Sequence, residues 1–210
     1  LSRAIYGARI SMTVGFVSMG VSTLIGVTVG SIAGYFGGKV DNIIMRFIDV
    51  LLCFPTFFLL LTIQATLKPS LYNVMIVVGL TSWMGIARMV RAEFLSLRER
   101  EYVEAARALG FGGPHIIFKQ ILPNALGPII VSTTMGIPGA ILMESALSFM
   151  GLGTQPPTAS WGSMLSQAQV YLRTSWWVAV YPGLLIALTV LAFNFVGDAL
   201  RDALDPRTRI

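Results

Sequence analysis

ISMTVGFVSMGVSTLIGVTVGSIAGYFGG, residues 10–38, decides the fold. It contains no charged side chain, and it is longer than the ~20 apolar residues a helix needs to cross about 30 Å of hydrocarbon. Four more charge-free windows of span length follow, at 50–67, 69–87, 120–143 and 174–197. A sixth, 145–172, holds Gly151, Gly153, Pro156 and Pro157 and then a polar run through Ser160, Ser163, Ser166, Gln167 and Gln169. It reads as a loop with a short interfacial helix. Trp161, Tyr171, Trp176 and Trp177 suit an aromatic belt at a membrane surface. Five spans explain why 55% of the 210 residues are hydrophobic and only 12% charged, with a mean hydropathy of +0.74. Water-soluble chains carry about a quarter charged residues. The expected fold class is an all-α, polytopic membrane helical bundle.

The charges set the orientation. Lys39, Arg46, Arg88, Arg91, Arg98, Arg100, Arg107, Lys119, Arg201, Arg207 and Arg209 fall on one side of the five spans. Only Arg3, Arg9, Lys68 and Arg173 fall on the other. Basic residues concentrate in cytoplasmic loops, so the 88–123 connection and the C-terminus are expected inside the cell. The net charge of +5 is then a topology signal, and no nucleic-acid partner is expected. An odd number of spans puts Leu1 outside, which predicts an upstream helix that this chain lacks.

Residue types narrow the chemistry. Cys53 is the sole cysteine and His115 the sole histidine, which removes disulfides, cysteine-rich metal sites and most nucleophile–base pairs. Ser18, Ser22, Gly26, Gly30 and Gly34, spaced by four, line one helix face for close approach of another helix, within the chain or in a dimer. Pro55, Pro138 and Pro182 lie inside spans and predict kinks. Polar groups within spans are few, and Gln64, Thr133, Glu144 and Asn194 are the candidate pathway residues. Glu144, near an outer span end, reads either as a structural hydrogen-bonding group or as part of a path. Asp49 and Arg46, three residues apart, are expected to pair locally.

The connection between spans three and four reads Arg98-Glu-Arg-Glu-Tyr-Val-Glu-Ala-Ala-Arg-Ala-Leu-Gly110, Phe-Gly-Gly-Pro114, then His-Ile-Ile-Phe-Lys-Gln-Ile-Leu-Pro123-Asn124. Arg100–Glu104 and Glu104–Arg107 sit at helical spacing, and Tyr102, Val103, Ala106 and Leu109 offer an apolar face. Gly110 is a natural C-terminal cap, and Pro114 suits the first position of the next helix.

Glu104-Ala105-Ala106, then Gly110, then Leu122-Pro123, resembles the EAA loop of permease subunits in bacterial ATP-binding-cassette importers. One departure is Gln120, where that family commonly has Ile. The segment from Leu1 to Ser11, the run Glu144-Ser-Ala-Leu-Ser-Phe-Met-Gly-Leu-Gly153 with Pro156-Pro157 and Ser160-Trp161-Gly162, and Asp205-Pro206-Arg207 are similar to the peptide/nickel branch. The resemblance runs end to end. It implies the type I importer permease fold, with 1–210 as a permease domain lacking its first span and 98–123 as the coupling loop. It further implies a bacterial inner-membrane, non-catalytic subunit working with a second homologous permease, two cytoplasmic ATPases and an extracytoplasmic substrate-binding protein, surrounded by the lipid bilayer. Glu104, Ala105, Ala106, Gly110, Leu122 and Pro123 are the implied ATPase-coupling residues. No cofactor is expected on this chain, with Mg-ATP held by the partner subunits. The implied cargo is a di- or oligopeptide, with nickel, glutathione or another small solute as the alternative. An ion-coupled transporter would need more intramembrane charge than Glu144 supplies.

Overall fold

The computed structural model describes residues 2–204, so Asp205-Pro206-Arg207 lies outside the described residues. Helix α1 (Ser2–Phe36) is followed by α2 (Gly38–Leu52), α3 (Thr56–Thr66), α4 (Leu71–Leu97) and α5 (Glu101–Ala108). A short turn α6 (Gly113–His115) runs through a π-helical stretch, Ile116–Ile121, into α7 (Leu122–Phe149); α8 (Trp161–Ala168) and α9 (Trp177–Leu204) complete the chain. Four of these segments are long and apolar enough to cross a membrane, and α2 and α3, which meet at 77°, reach that length and apolarity only as a pair.

The small-residue stripe finds its partner inside the chain. Helices α1 and α4 run side by side and parallel, with Ser18 Oγ donating to the Met75 carbonyl at 3.0 Å. A methyl group on Gly26 would stand 2.7 Å from Ile86, on Gly30 2.5 Å from the Ala87 carbonyl, and on Gly34 2.5 Å from Phe94. From the other side, one on Gly79 would meet Val21 at 2.9 Å. Backbone contact this close is what drives association where lipid is as apolar as the side chains. Helix α7 crosses α1 antiparallel. Ile137 and Ile141 pack on Gly15, Met19 reaches over Gly136, and α9 packs antiparallel on α7 where Met135 meets Gly197.

The second span bends at Pro55, where the sequence predicts a kink, and bends far enough to divide into two helices. Pro55 has no N–H to give, and its ring cannot fit behind a continuing turn, so the chain breaks at 53–55. What remains above the break is the short α3. Below it, α2 is amphipathic and is stapled to α4 by Arg91, whose guanidinium grips Asp41, and by Arg88, which holds Asp49. Asp49 therefore pairs across helices and not with Arg46, because α4 brings its arginines alongside the face of α2 that carries both aspartates. Pro138 and Pro182 lie inside α7 and α9 without ending either helix.

Alternating helix direction gives the bundle two ends. One carries α5, α6 and the end of α9; the other carries α8, the loop before it and the start of α1. At the α8 end Trp161 is buried, with its Nε1 donating to the Ala4 carbonyl at 3.0 Å, so it belongs to the packing and not to a surface belt. Tyr171, Trp176 and Trp177 are exposed. On α9, Leu184, Leu188, Leu191 and Phe195 are exposed, the pattern of a helix whose solvent is hydrocarbon.

Candidate functional site

At the α5 end, Arg98 anchors the segment that follows α4. Its Nη1 donates to the carbonyls of Gly34 and Tyr35, satisfying the free C-terminal turn of α1. Glu101 and Glu104 stand in the first turn of α5 and Arg107 in its last, each matched to the helix dipole. Val103 and Ala106 are buried in the same core cluster as Ile116 and Ile121 of the π stretch. Burial pushes the Tyr102 phenol up, with Arg100 partly opposing, so it stays protonated at neutral pH.

The helix stops at Gly110, which has φ +82°. Gly110 N donates to the Arg107 carbonyl at 2.9 Å and Phe111 N to the Ala106 carbonyl at 3.1 Å, the paired bonds of a Schellman motif. Beyond it, Phe111 stacks on His115 with centroids 4.3 Å apart, and Arg107 lies 6.0 Å over the Tyr35 ring. The π stretch closes with Leu122 N bonded to the Ile117 carbonyl. It delivers the chain to Pro123, which sits in the first turn of α7.

The residues singled out by sequence divide into an outer and an inner set. Glu104, Ala105 and Gly110 are exposed, and a methyl group on Gly110 would touch nothing. Glu104 makes no ion pair among the described residues, neither with Arg100 nor with Arg107. Leu109, 76% exposed, and Phe111 extend this surface with apolar side chains. Ala106 faces inward and packs on its own chain, so its small size serves the fit of α5 onto the π stretch. Leu122 packs against the core, and Pro123 is exposed. The surface so formed is a short rigid helix presenting Glu104 and an apolar tip, suited to enter a cleft in another protein and to no bond-making chemistry of its own.

The four candidate pathway residues do not converge. Gln64 is fully buried at the top of α3, donating through Nε2 to the Leu152 carbonyl at 2.9 Å, and its Oε1 has no partner. Thr133 shares a 2.8 Å hydrogen bond with Thr23 of α1. Asn194 is half-buried on α9. Glu144 is fully buried and accepts hydrogen bonds from Ser148 at 2.6 Å, Ser11 at 3.2 Å and Thr154 at 3.4 Å. The open space inside the span region lies elsewhere. A groove of about 320 Å³ runs between α1, α4 and α7, with Ser82, Gly85, Ser132, Gly139 and Met143 on its walls. A methyl group on Gly85 or Gly139 would meet nothing, so these glycines, unlike Gly26 or Gly30, are not small for the sake of packing in this chain. Periodicity alone could not separate the two kinds, since both sit on helical faces.

Comparison with known proteins agrees with this architecture. Residues 26–210 match the family described as "Binding-protein-dependent transport system inner membrane component". The dipeptide transport system permease protein DppC of Alkalihalophilus pseudofirmus is 45% identical over 99% of this chain and 68% of its own length. The oligopeptide transport system permease protein OppC of Haemophilus influenzae is 43% identical over 100% of this chain and 67% of its own length. Among solved structures, the MetNI methionine ABC transporter in an inward-facing conformation superposes with a TM-score of 0.77 at 19% identity, covering 98% of this chain and 97% of its own. At that identity the likeness is one of fold. The chain belongs to the family of inner membrane components of binding-protein-dependent transport systems, as a multi-pass transport permease subunit.

Proposed function

We propose that the chain forms, with a second homologous permease, the path by which di- or oligopeptides enter the cell, driven by two cytoplasmic ATPases that seat on α5. The observation that carries the reading is the exposed end of α5, with Glu104, Ala105 and Gly110 presented on a helix locked from beneath by Val103 and Ala106. Such an element passes a push to the spans because it cannot slide on its own support. Its continuation through Leu122-Pro123 into α7, and its tie through Arg98 to α1, connect that push to the groove walls. Closure of the ATPases on ATP then biases a two-state bundle, the partner supplying the free energy and this chain the two packings. Pro55 and Pro138 supply places where helices can bend. The peptide assignment is supported by the names of relatives above 40% identity. The groove is lined mainly by apolar side chains, Met19, Val78, Ile86, Ala140 and Met143, with Ser82 and Ser132 as its hydrogen-bonding groups.

The test is uptake by proteoliposomes holding the complete importer and its binding protein. ATP-dependent accumulation of labelled dialanine or a longer peptide, abolished when the ATPases are left out, is the expected result. Accumulation that persists without the ATPases would overturn the importer reading. Stimulation by nickel or glutathione, with peptides inert, would overturn the cargo alone.

A further inference from the structure

Three parts of the 98–123 segment meet at one side chain of α1. Tyr35, half-buried one residue before the end of that helix, packs against the main core cluster. Ahead of α5, Arg98 Nη1 donates to the Gly34 carbonyl at 3.3 Å and to the Tyr35 carbonyl at 3.5 Å. The guanidinium fills the space beside Gly37, where a methyl group would overlap it. In the last turn of α5, the Arg107 guanidinium lies 6.0 Å from the centroid of the Tyr35 ring. Beyond α5, a methyl group on Gly113 would stand 3.3 Å from the Tyr35 hydroxyl, tighter than an ordinary contact, so the glycine leaves the ring its room. Arg107 is exposed and makes no ion pair among the described residues, which leaves the ring as the group that holds it. A cation over a half-exposed aromatic face shifts an equilibrium about two- to fivefold.

What hangs on this contact follows from the groove. Met19 of α1 with Ser82 and Gly85 of α4 line one side of it, and Ser132 and Gly139 of α7 the other. Helices α1 and α4 form one body, because their backbones approach closely at Gly26, Gly30 and Gly34. Helix α5 reaches α7 through the π stretch on which Val103 and Ala106 rest. It reaches α1 at two places, through Arg98 shortly before its start and through Arg107 in its last turn. A rod held at one end pivots; held at both ends it carries its support along. With Arg98 alone, a push on α5 would be absorbed as rotation about that point, and the wall made by α1 and α4 would be left behind. We propose that Tyr35 is a positioning residue for coupling, its ring holding Arg107 so that α1 and α4 follow α5 when the ATPases close. The proposal rests on the importer reading above and names what moves the second wall of the groove.

The experiment counts labelled dialanine taken up per ATP hydrolysed by the complete importer and its binding protein in proteoliposomes. Tyr35→Leu and Arg107→Gln should each lower that ratio about threefold, the scale of one cation–π contact, while the ATPases stay bound and half-saturation by dialanine does not move. Tyr35→Phe keeps the ring and Arg107→Lys keeps a cation, so both should hold the ratio close to wild type. The double variant Tyr35→Leu/Arg107→Gln should do no more harm than either single change, since all three remove one interaction. Arg107 is exposed, so its variants keep the test alive if Tyr35→Leu fails to insert. A wild-type ratio in Arg107→Gln would overturn the proposal. So would losses that multiply in the double variant, because Arg107 would then act at the ATPase surface. A loss in Tyr35→Phe as deep as in Tyr35→Leu would overturn it too, since the hydroxyl and not the ring would be responsible. Uptake by the wild type without ATPases would sink the importer reading instead.

Discussion

Glu144 shows how one residue organises the α8 end. Its carboxylate takes hydroxyl hydrogen bonds from Ser11 of α1 and Ser148 of α7 and from Thr154 of the loop. Ser148 Oγ in turn receives the Thr154 amide, and Ser11 Oγ receives the Trp161 amide at the start of α8. A carboxyl group so deep is costly unless it is hydrogen-bonded, and here three hydroxyls supply those bonds. Glu144→Gln keeps an acceptor oxygen and should melt close to wild type in detergent. Glu144→Leu strands the Ser11 and Ser148 hydroxyls, at about 1–3 kcal/mol each. It should lower the melting temperature and open the 155–158 loop to protease; a Leu variant as stable as wild type would refute the hub. Gly110 matters differently. At φ +82° any other residue is strained, by about 1 kcal/mol, yet nothing in the chain blocks a side chain there. Gly110→Trp should therefore insert normally but separate ATP hydrolysis from uptake in the reconstituted importer. Hydrolysis still matched to uptake would remove the role given to α5.

At the scale of elements, glycines of one helix predict opposite outcomes. Gly30→Ala puts a methyl group 2.5 Å from the Ala87 carbonyl, against backbone that cannot yield without parting α1 from α4. Gly20→Ala, on the same helix, meets nothing. The first should cost about 2 kcal/mol or more and lower the melting temperature; the second should be neutral or gain up to about 1 kcal/mol of helix propensity. Equal melting of the two variants would show that α1 and α4 do not pack as described. The stripe was readable in the sequence because period four is local, and its partner was not, since Met75, Ile86 and Ala87 are set only by the third dimension. The same limit explains Asp49. Spacing offered Arg46, and only the lie of α2 along α4 brings Arg88 within reach. The break at Pro55 was legible as a kink, but the size of the bend was not, because it depends on α2 being stapled to α4 on one side of the break. The π stretch left no composition signal at all. Among the site residues, the cap at Gly110 and the place of Ala106 beside Val103 on the apolar face followed from helix chemistry and Glu104 came only with the resemblance, whereas the exposure of Leu109 and Tyr102 required knowing how α5 rests on Ile116 and Ile121.

Over the whole molecule, the same charge pattern that located the spans also predicts which end faces which compartment. The α5 end collects Lys39, Arg46, Arg88, Arg91, Arg98, Arg100, Arg107, Lys119 and Arg201 of the described residues, four times over bound into the fold through Asp41, Asp49, Gly34 and Tyr35. A bundle with that end outside would have to carry those basic groups across hydrocarbon, at roughly 2.5–3.5 kcal/mol each on insertion scales. The few bases at the α8 end present a far smaller barrier. A single-cysteine series decides the matter, because Cys53→Ser leaves the chain without thiols. Thr158→Cys lies in the exposed loop before α8, and Glu104→Cys lies on the exposed face of α5. In right-side-out vesicles a membrane-impermeant maleimide should label the cysteine at 158 and spare the one at 104, and inverted vesicles should reverse the result. Labelling at 104 in right-side-out vesicles would turn the bundle over. The end that carries Arg3 and Arg9 would then face the cytoplasm, and α5 would be out of reach of any ATPase.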